Sequence, residues 1–110
     1  MIEDTVGKIE ARIESAEAIS PERKQELLQL LGTLKCEVAE LSKTHGEEAQ
    51  SIAGFTEISA HEATRTEQNP TLLKLSLEGL SRSVAGFEKS HPRLVQIVNA
   101  ISNTLSNLGI

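Results

Sequence analysis

Ser20-Pro-Glu-Arg-Lys-Gln-Glu-Leu-Leu-Gln-Leu-Leu-Gly-Thr-Leu-Lys-Cys-Glu-Val-Ala-Glu-Leu41 reads as one amphipathic helix. Leu27, Leu31, Leu34, Val38 and Leu41 recur at alternating steps of four and three, and Leu28 and Leu30 widen the stripe. That spacing brings the side chains to one helical face, which has to be buried against other helices. The start of the helix is written as clearly. Ser20 is a good N-cap, and Pro21 falls at the first helical position, where its missing N–H is not needed.

The same period extends in both directions. Ile2, Val6, Ile9, Ile13 and Ala16 form a stripe on a helix over 2–18. Thr44-His45-Gly46 closes the helix over 21–44, with Gly46 able to take the left-handed conformation beyond a helix end. Residues 47–66 are helix-compatible but poor in large apolar groups. Ile52, Phe55 and Ile58 serve as their anchors, so this segment is expected to be the least stable. Asn69-Pro70 repeats the cap-then-proline signal and opens a helix over 70–89 with the stripe Leu73, Leu77, Leu80, Val84, Phe87. After Pro92 a last helix over 92–108 carries Leu94, Val98, Ile101, Leu105 and Leu108. Gly109 stands where a terminating glycine belongs, with Ile110 placed to fold back onto Leu105.

These segments predict an all-α fold, a small helical bundle of four to five helices with coiled-coil-like heptad stripes in a single domain, 1–110. The alternative is a long helical hairpin kinked at Pro92, because the four-three spacing runs through His91 without a phase slip. Pro92 disfavours helical geometry at His91 and lacks a donor, so a break at 90–92 is the preferred reading.

Composition bounds the function. The chain has 110 residues, 38% hydrophobic and 25% charged, with no Trp or Tyr and two Phe, so its core is aliphatic. A net charge of −5 argues against a nucleic-acid partner, since phosphate binding needs a concentrated basic surface. Lys74, Arg82, Lys89 and Arg93 alternate with Glu78 and Glu88, as on a solvated face. No apolar run approaches the ~18 residues of a membrane span, and the acidic N-terminus lacks a secretory hydrophobic stretch. Cys36 is single and cannot pair internally. A cytoplasmic protein with no membrane partner is the expectation.

Candidate chemistry fails step by step. Glu88-Lys-Ser-His91 fits the Glu-x-x-His pattern of carboxylate-bridged metal bundles, but that site needs a second copy, and Glu57 and His61 are four apart. His61-Glu62 begins a zinc-protease motif that ends at Arg65, where the second histidine must stand. There is no glycine-rich phosphate loop and no marked nucleophile. No catalytic residue, no metal ligand set and no cofactor is therefore assigned, and the chain is not expected to be an enzyme. Cys36 lies off the Leu34–Val38 seam as a surface thiol, and Asn99, Asn103 and Asn107 make a polar stripe on the solvent side of the last helix. Leu72 and Leu75 fall away from the Leu73–Leu77–Leu80 seam, with Gly79 and Gly86 continuing their face. Exposed leucines beside small residues mark these four positions as a candidate interaction surface.

The run Gly86-Phe-Glu-Lys-Ser-His-Pro-Arg-Leu-Val95, continuing through Val98-Asn99 and Ile101 to Asn107-Leu-Gly-Ile110, resembles a family of short uncharacterised bacterial helical proteins, a domain of unknown function. Ser51-Ile-Ala-Gly-Phe55 and His61-Glu-Ala-Thr-Arg65 are similar to the same family. The resemblance implies a bacterial cytoplasmic protein and carries over no active residues. The expected function is a non-enzymatic interaction or structural role through helix–helix contacts, as a homo-oligomer (a dimer favoured) or with a protein partner. The alternative is a metal- or small-ligand-binding bundle using Glu88, His91 and His61.

Overall fold

A computed structural model describes residues 2–108. Five helices follow in order: α1 (Ile2–Ser15), α2 (Pro21–Ser42), α3 (Gly46–Thr64), α4 (Pro70–Ser83) and α5 (Pro92–Leu108). No strand occurs among the described residues. The helix starts follow the sequence signals. Ser20 Oγ accepts from Arg23 N–H at 3.3 Å, and Asn69 Oδ1 accepts from Leu72 N–H at 3.1 Å, each ahead of a proline in the first turn.

The helices form two layers, with α1, α3 and α4 side by side over α2 and α5. α3 touches all four other helices, while α1 touches only α2 and α3. The stripes close the core: Val6, Ile9 and Ile13 meet Leu27 to Leu41 of α2, and Leu94, Val98, Ile101 and Leu105 of α5 lie beneath α3 and α4. The central place of α3 follows from its small side chains. Ala49, Ala53, Thr56, Ser59, Ala60 and Ala63 are buried, and residues of that size let neighbouring helices approach on several sides. The scarcity of large groups that suggests weak anchoring is what admits this helix to the middle of its layer.

Three expectations change at the helix ends. The first helix stops at Ser15, not residue 18, so the turn after it swings Ile19 into the core at 7% exposure. Gly46 is not a left-handed cap. It is the first residue of α3, and α2 passes through the right-handed Lys43 (φ −65°) into a tight corner where His45 N–H donates to Leu41 C=O at 2.8 Å. Among the described residues the positive-φ glycine is Gly86 (φ +98°). It lies beyond the end of α4 at Ser83, so the break begins at Val84, several residues before the 90–92 reading. A residue held at that φ cannot continue a right-handed helix, which removes the single kinked helix over 70–108. The cap assigned to Gly109 and Ile110 lies outside the described residues.

Candidate interaction surface

The outer face of the three-helix layer carries the four large hydrophobic side chains that stay exposed among the described residues: Phe55 (37%), Ile58 (49%), Leu72 (41%) and Leu75 (56%). They are neighbours because α3 and α4 run antiparallel through the short turn 65–69, and one close contact sets their register. The Phe55 ring edge lies directly on Gly79, where any Cβ would collide with it. One turn further along each helix, Ile58 of α3 faces the level of Leu75, and Leu72 follows. The patch therefore straddles the α3–α4 seam, with Phe55 as the bridge.

The sequence places Leu72, Leu75 and Gly79 here, and the structure brings these three together. Gly86 does not join them: it sits in the turn after α4 and belongs to no helix face. Phe55 and Ile58, read from sequence as anchors, turn outward instead. The buried row of α3 runs through Ala49, Ile52, Ala53, Thr56, Ser59, Ala60 and Ala63, and positions 55 and 58 lie beside it. The run of small residues fills the inward arc of the helix, but no spacing within α3 says that Gly79 of α4 receives the Phe55 ring.

Charge rings the patch on both sides. On α3, Arg65 reaches Glu62 at 2.9 Å, and Glu62 is almost buried beside it. Arg12 of α1 meets the His61 ring at 3.2 Å. On α4, Glu78 and Arg82 are exposed next to Leu75.

The residues weighed for metal chemistry have other uses. Glu88 Oε1 accepts from Gly86 N–H at 2.9 Å, bracing the turn that ends α4. His91 precedes α5 with its Nδ1 2.9 Å from Ser90 Oγ, and its ring meets Phe87 edge to face at 5.5 Å between centroids. His45 completes a three-ring cluster, 5.4 Å from Phe87 and 6.2 Å from His91. These rings join the α2–α3 corner to the α4–α5 turn. His61 lies instead against Arg12 and Glu62. Among the described residues no three His, Cys, Asp or Glu side chains converge as a ligand set. Cys36 is exposed, as are Asn99, Asn103 and Asn107. Asn103 and Asn107 line an open cleft of about 500 Å³ with Arg23, Glu26 and Thr104, where Thr104 Oγ1 donates to Glu26 at 3.3 Å. No helix is long and apolar enough to cross a membrane among the described residues.

No curated protein and no solved structure matches the chain. A family model, however, spans most of it, from within the second helix through the third, fourth and fifth, and therefore the whole Phe55–Leu75 patch. The chain belongs to the family described as Domain of unknown function (DUF4404), whose model matches residues 27–110.

Proposed function

We propose that this protein is a non-catalytic helical interaction module whose working surface is the outer face of α3 and α4. The observation that carries the reading is the gathering of Phe55, Ile58, Leu72 and Leu75 on one seam. Isolated exposed apolar groups are ordinary, but a contiguous patch rimmed by charge is the usual mark of a contact surface. The alternative use of Glu88 and His91 as ligands gains no support, since both brace the α4–α5 turn.

The test compares a deletion strain of the native host complemented with wild type or with Ile58→Glu/Leu75→Glu. Because both side chains are half exposed, the variant keeps its fold, checked by circular dichroism, and loses complementation. Full complementation by the folded variant would sink the surface reading. Turnover in a broad substrate screen, abolished by changing Glu88, His91 or Cys36, would overturn the non-catalytic part.

A further inference from the structure

We infer that the occupant of the α3–α4 face is a second copy of this chain, seated across a twofold axis so that the same seam of each copy meets. This rests on the reading of that face as an interaction surface. Three observations choose the second copy.

The first is shape. The open clefts described on the molecule, about 250 to 530 Å³, are lined by other residues and none includes Phe55, Ile58, Leu72 or Leu75. The patch lies on the outside of a layer of three helices packed side by side, with Gly54 open beside Ile58 and Gly79 filled by the Phe55 ring. A single inserted peptide needs a groove to bury its flanks. An exposed helical seam that forms no part of those clefts is best covered by the face of another helix pair.

The second is area. At their observed exposures the four side chains present on the order of 300 Å² of apolar surface. A standard interface takes about 800 Å² per partner, a little over half of it apolar. The seam thus supplies most of the apolar centre of a small interface, and the charged rim completes it. The contact expected is a reversible dimer of modest affinity.

The third is charge. Each chain carries −5, so two copies repel unless they meet away from their acidic regions. Around the seam the signs are mixed: Arg65 is paired with Glu62 on α3, and Lys74 and Arg82 stand with Glu78 on α4. The acidic excess lies elsewhere, on Glu10, Glu14 and Glu17 of the α1 edge and on Glu47 and Glu48 at the start of α3. A twofold contact at the seam brings balanced rims together and keeps those acids at the periphery. A basic foreign partner would call for an acidic rim, which this face lacks.

Sedimentation equilibrium over a wide concentration range tests the inference directly. Wild type should show a reversible monomer–dimer equilibrium. Each change in Ile58→Glu or Leu75→Glu occurs twice in a twofold dimer, so each should weaken association on the order of 100-fold. A second readout avoids introduced charge: Ile58→Cys or Leu75→Cys on a Cys36→Ser background should cross-link copy to copy on mild oxidation. A wild type that stays monomeric up to about 1 mM and gives no cross-link overturns self-association, and a dimer that survives the double variant overturns this face. The host experiment separates the two readings. If wild type is monomeric yet Ile58→Glu/Leu75→Glu loses complementation, the second copy is wrong and the interaction surface stands. If the dimer dissociates in the variant while complementation is intact, self-association stands and its role in function does not.

Discussion

Gly79 matters for what it lacks. The Phe55 ring occupies the space a side chain would take, and the ring is the movable end of its residue. Gly79→Ala therefore has two opposed effects: a gain in helix propensity of up to about 1 kcal/mol, and a displaced ring. We expect a net change in urea-unfolding stability within about 1 kcal/mol, together with weaker self-association because the bridge across the seam is pushed outward. Unchanged association would show that Phe55 is not part of the contact. Gly86 is glycine for a different reason. Its φ of +98° is strained for any L side chain, so Gly86→Ala should lose roughly 1–2 kcal/mol although nothing crowds the site. Ser59 offers the reverse case. Its hydroxyl is fully buried on α3 with no hydrogen-bond partner. Ser59→Ala removes an unsatisfied polar group and should be neutral or stabilising by about 1 kcal/mol; a loss above that would point to a bond the hydroxyl makes in solution.

At the scale of elements, α3 is the helix whose role composition conceals. Its inward face is mostly Ala, Ser and Thr around the single large aliphatic Ile52, and its closeness to four neighbours depends on their size. Enlarging that face should hurt more than trimming it: Ala53→Leu is expected to cost about 1–3 kcal/mol by overpacking, read from the shift in the urea midpoint. The junction between α4 and α5 is held by other means. Val84 ends the helix, Glu88 clasps the Gly86 N–H, and Phe87 stacks edge-on with His45 and His91. Phe87→Ala removes both ring contacts, each contributing about 0.5–1.5 kcal/mol. Faster amide exchange confined to the α4–α5 turn and the α2–α3 corner is the expected signature. Helix starts in this chain were readable from Ser20-Pro21 and Asn69-Pro70, because a cap and a proline act within one turn. The end of α4 was not, since the heptad stripe of Val84 and Phe87 continues in sequence past the point where Gly86 turns the backbone away.

For the whole molecule, the matched family segment begins at Leu27, yet α1 lies outside it and is not peripheral. Val6, Ile9 and Ile13 are fully buried against α2 and α3. A fragment lacking residues 1–20 would expose the α1-facing sides of both helices. We expect it to show reduced helicity and non-cooperative urea unfolding, and a cooperative transition with a wild-type midpoint would overturn that. Within the intact chain, Ile9→Ala should cost about 2–5 kcal/mol, as for any large-to-small change in a closed aliphatic core.

What the sequence by itself determined is the helical class, the inward stripes of α1, α2 and α5, the three proline-marked helix starts and the outward Leu72 and Leu75. These depend on periodicity and on interactions within one turn, which are local. What only the tertiary structure decided is the place of α3 between its neighbours, the outward turn of Phe55 and Ile58, and the removal of Gly86 from the surface that its spacing extends. Those depend on which helix lies beside which. Phe55 is outside because Gly79 of another helix receives its ring, and no spacing within α3 encodes that neighbour.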